Sequence, residues 1–253
     1  MEIITIDRDN IDHEHICCAI TEKKGETCVA SKKSWMKERF KDGLVFKRLD
    51  ERCKVFIEYI PAEKAWAPVV APEYMYINCF WVSGQFKGHG WANKLLAECA
   101  GDAKEKGKRG LAVLSSAKKM AFLSDPKYLK YKGFMVADTA LPSFELLYLP
   151  FGDDAPVPKF KDCAKSGKTD EKGMVLYYSN QCPHTDKYAP LIGKIAEQRG
   201  ASVSLRKIET TEQAQNAPTP FTTYSLFYNG DFVTAEVLSE KKFENFLDMC
   251  GQA

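Results

Sequence analysis

Residues 74–106 constrain the fold more than any other stretch of the chain. Tyr74–Val82, YMYINCFWV, is apolar and aromatic almost throughout, which suits a central strand covered on both faces. It runs into a turn carrying Gly84, Gly88 and Gly90, and then into a helix over about 89–106 with Trp91, Leu95, Leu96 and Cys99 on one face. Glycine at 88 and 90 lets the backbone approach a ligand closely. The N–H groups at the helix start bind anions, and Lys87 adds a cation. The physical reading is a pyrophosphate cradle. Its spacing is neither GxxxxGK[ST] nor GxGxxG, which sets aside the P-loop and the Rossmann turn. It is Gln-x-x-Gly-x-Gly, on Gln85, Gly88 and Gly90. Taken alone, the same residues also suit a strand–helix turn with no ligand.

Composition narrows the classes. Of 253 residues, 45% are hydrophobic and 28% charged, which argues against a disordered, collagen-like or coiled-coil chain. No apolar run approaches the ~20 residues of a membrane span. The opening MEIITIDRDN lacks a basic-then-apolar leader, so a cytoplasmic protein is expected. Thirty-six Lys and Arg against 34 Asp and Glu leave a net charge of +2, so neither nucleic acid nor membrane is an expected partner. The nine cysteines include no CxxC pair; neither a disulfide framework nor a zinc knuckle is expected. His13 and His15 lack a third nearby ligand, and no metal is expected.

Before the central strand, Ile3–Ile6 reads as a strand, 11–19 and 32–40 as helices, and Leu44–Leu49 with Lys54–Ile60 as a hairpin. After it come a strand at Leu111–Leu114, a short helix ending near Lys132 with Gly133 as a left-handed cap, and strands at Phe134–Ala137 and Phe144–Leu149. Residues 152–173 are rich in Pro, Gly, Asp and Lys and read as a linker. Beyond them the order is β-α-β-β-β-α: Met174–Tyr178, helix 185–198, Ser202–Ile208, a hairpin around Asn229-Gly230, and helix Glu240–Cys250.

The loop VSGQFKGHGWANKLL, the following strand GLAVLSS and the helix KYLKYKGF resemble, in that order, the motifs of the GNAT superfamily of N-acetyltransferases over roughly residues 1–150. The resemblance implies acetyl-CoA as co-substrate. Backbone groups of Phe80 and Val82 would pair with its pantetheine arm. The amides of Gln85, Phe86, Lys87, Gly88, His89 and Gly90 would hold its pyrophosphate, and Ser115 or Ser116 would touch the cofactor. In the family a Tyr often protonates the leaving thiolate, and a Glu often serves as base. The matching positions here are Leu129 and Tyr76, both departures. Tyr128, preferred, and Tyr131 flank the first; Glu58 and Glu73 are substitutes for the second. Trp66, in a proline-rich loop, either lines an acceptor pocket or simply packs.

In the C-terminal part, Cys182-Pro-His at a strand–helix junction, with Pro190 further along the helix, resembles the thioredoxin superfamily. Thr185 replaces the resolving cysteine, which leaves Cys182 as a monothiol. In thioredoxins a cis-proline enters the next hairpin; Pro218 and Pro220 lie near that point. The combination resembles the YoaP-like acetyltransferases.

The expected fold class is therefore α/β (α+β): a mixed-sheet GNAT domain over 1–151, the linker 152–173, and a small thioredoxin-like α/β domain over 174–253. The expected activity is transfer of an acetyl group from acetyl-CoA to a small-molecule amine by direct attack. The alternatives are a thiol-transfer or redox protein centred on Cys182, and a non-catalytic CoA sensor.

Overall fold

The computed structural model describes residues 1–17, 19–20 and 24–251. The chain begins with β1 (Ile3–Ile6), α1 (Cys28–Arg39), β2 (Val45–Leu49), β3 (Val55–Pro61), the two-residue β4 (Val69–Val70) and the long β5 (Tyr74–Val82). It continues through α2 (Trp91–Glu105), β6 (Gly110–Ser116), α3 (Pro126–Tyr131), β7 (Met135–Ala140), β8 (Phe144–Pro150) and β9 (Lys159–Phe160). The C-terminal part holds β10 (Met174–Tyr178), α4 (Pro183–Gln198), β11 (Val203–Lys207), α5 (Thr211–Gln215), β12 (Tyr224–Tyr228), β13 (Asp231–Thr234) and α6 (Glu240–Met249). No helix among the described residues is long and apolar enough to cross a membrane.

A seven-stranded mixed sheet runs β1-β2-β3-β5-β6-β8-β7. Its central strands are apolar on both faces because both faces are covered. On one face Leu95, Leu96 and Cys99 of α2 pack on Ile57, Met75, Ile77 and Leu111. On the other, Phe46, Phe56, Tyr74, Tyr76 and Leu146 belong to a second core. That core continues without a break into Leu176, Ile192, Leu226 and Phe243 of the C-terminal part. There the sheet order is β11-β10-β12-β13, with β10 parallel to β11 and antiparallel to β12.

The structure departs from the expected elements in four places. Residues 11–14 form turns rather than a helix. The Ile11 amide closes a turn onto the Asp7 carbonyl and those of His13 and Glu14 onto Asn10, but Cys17 then takes a positive φ of 43°, which a continuing right-handed helix does not allow. Cys18, inside the expected helix, lies outside the described residues. The linker is packed against both halves. Phe160 is buried, β9 pairs with β4, and Lys165 bonds Asp138 at 2.8 Å. Further along, the Thr169 amide donates to the Gly230 carbonyl at 2.8 Å. Two apolar anchors, Phe160 and Ala164, hold down a segment whose composition is otherwise that of a loop. The short helix α5, set by a capping box of Thr210 and Gln213, has no counterpart in the expected order. Finally, among the described residues the cis peptide is Leu141–Pro142; those preceding Pro218 and Pro220 are trans.

Candidate active site

The site begins where β5 parts from β6. The two strands run parallel and pair only from Tyr74↔Gly110 to Ile77↔Val113. On its other edge β5 pairs with β3, Tyr59 opposite Ile77 and Glu58 opposite Cys79. Asn78 is thus the extra residue of a β-bulge, a device that bends a strand and re-aims a side chain. Beyond the bulge, the edge of β5 that faced β6 is open as far as Val82.

The glycine loop follows at the end of this open edge. Gly88 and Gly90 have φ of 80° and 79°, a left-handed conformation that favours glycine. Gly90 is the N-cap of α2, with no side chain to bond the first-turn amides, so those N–H groups remain available to an anion. A Cβ built at 84, 88 or 90 meets nothing within 4 Å, so the space over the loop is open. A phosphate fits this cradle on two counts: exposed amides at a helix start, and Lys87 beside them.

From the loop a cleft leads inward. Its outer reach is lined by Val82, Phe86, Lys87, Gly88, Trp91 and Tyr128. The middle, enclosing about 870 Å³ with its open mouth, passes Phe80, Met120, Phe122, Leu123 and Tyr128. The inner end narrows between Tyr76, Asn78 and Leu114 of the sheet, Trp66, and Gln181 and Phe221 of the C-terminal part.

The relatives decide the family. The chain is 43% identical, over 97% of its length and 98% of the relative's, to an N-acetyltransferase of Bacillus subtilis (strain 168) named YoaP and described as uncharacterized. It belongs to the YoaP-like N-acetyltransferases. The YoaP-like family model matches residues 203–245, so the part of the family that this model describes lies in the C-terminal sheet and its closing helix. Among solved structures, the GNAT-family N-acetyltransferase YhbS of Escherichia coli, in complex with CoA, aligns at 13% identity with TM-score 0.42, covering 64% of this chain and 89% of that one. An N-acetyltransferase of Staphylococcus aureus Mu50 aligns at 15% identity with TM-score 0.40, covering 60% and 100%. The family assignment rests on the Bacillus relative.

In this YoaP-like chain the expected site residues separate clearly. Phe80, Val82 and Lys87 line the cleft, as do Phe86, Gly88 and Gly90; Gln85 and His89 are exposed on the loop. Tyr128 stands over the cleft. Its hydroxyl donates to Asn93 Oδ1 at 3.1 Å, and its ring lies 5.8 Å from that of Phe80. Burial pushes its pKa up to about 12, so it keeps its proton at neutral pH. Tyr131, three residues further along α3, is 82% exposed and does not line the cleft.

The two acidic substitutes lie apart from the cleft lining. Glu73 precedes β5 and binds Arg109 at 3.4 Å. A nine-residue strand separates it from the loop, a span of roughly 26 Å. Glu58 is fully buried behind the bulge, with Lys32 Nζ 2.6 Å from its Oε2 and Asn78 Nδ2 donating to its Oε1 at 3.1 Å. Its bond to Asn78 links it to the cleft lining.

Ser115 and Ser116 are buried with their hydroxyls committed to the next loop: Ser115 donates to the Ser124 carbonyl at 2.9 Å, Ser116 to that of Lys118. They shape the wall around Phe122 rather than present free hydroxyls to it. Cys182 caps α4 and is half-buried; its neighbour Gln181 lines the inner pocket. Among the described residues no group of three or more His, Cys, Asp or Glu is placed to hold a metal.

Sequence reasoning missed Asn78, Asn93, Gln181 and Phe221. One signal was present for Asn78, the only strongly polar residue in an otherwise apolar strand. The others reach the cleft by long-range packing that no local pattern carries.

Proposed function

We propose that this N-acetyltransferase binds acetyl-CoA in the cleft and transfers its acetyl group to the amine of a small molecule by direct attack in a ternary complex. The observation that carries the reading is the open edge of β5 between Asn78 and Val82, leading from the glycine loop to the inner pocket. The loop amides and Lys87 bind the pyrophosphate. The backbone of Phe80 and Val82 takes the pantetheine arm as an added strand, which delivers the thioester to the splay at Asn78. The amine nitrogen then attacks the thioester carbon. A C–N bond forms, the C–S bond breaks, and the extra proton on nitrogen leaves to water. Tyr128, protonated and facing the cleft, gives its proton to the departing thiolate and regains one from solvent.

The C-terminal strand order, with one parallel and two antiparallel pairings, supports reading residues 174–253 as a thioredoxin-like domain. Gln181 and Phe221 support its use here as a wall of the acceptor pocket.

The test is calorimetric titration of acetyl-CoA into the full chain and its Gly88→Glu variant. The substitution adds a carboxylate to the cradle and strains a left-handed position. Wild type binds and the variant does not; equal affinities overturn the reading.

A further inference from the structure

The inner pocket has a chemistry that the acetyl group alone does not explain. Its walls come from both halves of the chain. Trp66, on the loop after β3, is held by C-terminal groups: its Nε1 donates to Thr211 Oγ1 at 3.0 Å, and its carbonyl accepts from Thr222 Oγ1 and from Gln181 Nε2 at 3.4 Å. Gln215 Nε2 clasps the same loop at the carbonyls of Glu63 (3.1 Å) and Ala65 (3.2 Å). The lining is rich in aromatic rings, among them Trp66, Tyr76, Phe80, Phe122 and Phe221, and among the described residues it includes no charged side chain.

One polar atom of this lining stands out. The Asn78 amide donates through Nδ2 to the Glu58 carboxylate at 3.1 Å. A carboxylate accepts and does not donate, so the amide cannot turn round. Its Oδ1 is therefore fixed on the other side, buried and without a hydrogen-bond partner among the described residues. A buried acceptor without a donor is costly and signals an absent partner.

We infer that the acceptor is a primary amine on a neutral, aromatic or apolar body, held by its N–H at Asn78 Oδ1, and that the C-terminal domain selects it through Phe221 and Gln181. This rests on the acetyl-transfer reading for the reaction, but the pocket's preference stands on its own lining. A charge-free, aromatic pocket favours the neutral amine, the form that attacks. It rejects acceptors with a second charge, because a polyamine's further ammonium or an amino acid's carboxylate finds no counter-ion there.

The experiment uses the full chain and three probes: 2-phenylethylamine, spermidine and glycine. Binding is read by calorimetry on the protein saturated with CoA and on the protein alone, and transfer by release of CoA thiol from acetyl-CoA. Phenylethylamine binds with one-to-one stoichiometry, and its kcat/KM exceeds that of the other two by about 10-fold or more. Phe221→Leu keeps an apolar side chain in the core but removes the ring, weakening amine binding about 3–10-fold. Asn78→Leu weakens it about 5–10-fold. Far-UV circular dichroism reports that both variants are folded. A preference for spermidine or glycine overturns the inference, as does failure of phenylethylamine to bind wild type. So do variants that bind it as wild type does. Amine binding without transfer leaves the inference standing and overturns the acetyl-transfer reading instead.

Discussion

The pair that orients Asn78 gives the most demanding prediction. Lys32 on α1 and Glu58 on β3 are each 1% exposed, and their charged atoms lie 2.6 Å apart. The ammonium also lies 4.1 Å from the centroid of the Trp35 ring. Lys32→Met keeps the length and apolar stem of the side chain and removes only the charge. Glu58 is then a buried carboxylate with one remaining donor, Asn78 Nδ2. Breaking a buried pair from one side costs about 3–5 kcal/mol. For a chain of this length each kcal/mol moves the melting midpoint by roughly 2–4 °C, so the variant melts roughly 6–20 °C lower. Lys32→Met combined with Glu58→Gln removes both charges and keeps an amide oxygen to accept from Asn78. Most of the loss is therefore recovered. The assay is thermal unfolding by circular dichroism at neutral pH, with urea titration as the second probe. A single variant within about 1 kcal/mol of wild type, or a double variant no more stable than the single, refutes the reasoning.

Tyr128→Phe removes the proposed acid and lowers kcat about 10²–10⁴-fold with acetyl-CoA affinity unchanged; near-normal turnover assigns the proton to water. Because burial raises the Tyr128 pKa to about 12, the wild-type rate does not decline between pH 8 and pH 10 through loss of this proton, and a pH–rate profile with such a limb contradicts the assignment. Burial disfavours the Asp138 carboxylate, but bonds from Lys165 and the amides of Thr139 and Phe160 outweigh it and hold the group below its ordinary range. Its contribution to anchoring residues 159–165 is complete above the unfolded value of about 3.9 and is lost as pH falls through the lower folded value. Asp138→Asn at neutral pH then speeds proteolytic cleavage within 152–173, and an unchanged cleavage rate refutes the anchor. Cys182 stands at the positive end of α4, whereas burial pushes the Cys99 and Cys163 thiols up. Limiting iodoacetamide at neutral pH labels Cys182 first, as read by peptide mass spectrometry; earlier labelling of either other thiol refutes this.

Local pattern determined much of this protein. The β5–loop–α2 unit was legible because its signals are short-range: a nine-residue apolar strand, glycines at positions that need positive φ, and a 3.6-residue apolar repeat on α2. The Asn229-Gly230 hairpin and the Gly133 cap follow from the same local chemistry. The expected helix over 11–19 fails for a reason equally local but weaker in pattern, the left-handed backbone of Cys17 within it. What tertiary structure alone decided is which polar groups meet. Tyr128 and Tyr131 are indistinguishable as neighbours in a helix, and only docking against Phe80 and Asn93 turns one to the cleft and leaves the other in solvent. Glu58 reads as a candidate base until α1 brings Lys32 to it across 26 positions of sequence. The inner pocket has residues as distant as Trp66 and Phe221 on its walls. No periodicity encodes that meeting, because it arises from the burial of one continuous core beneath both sheets.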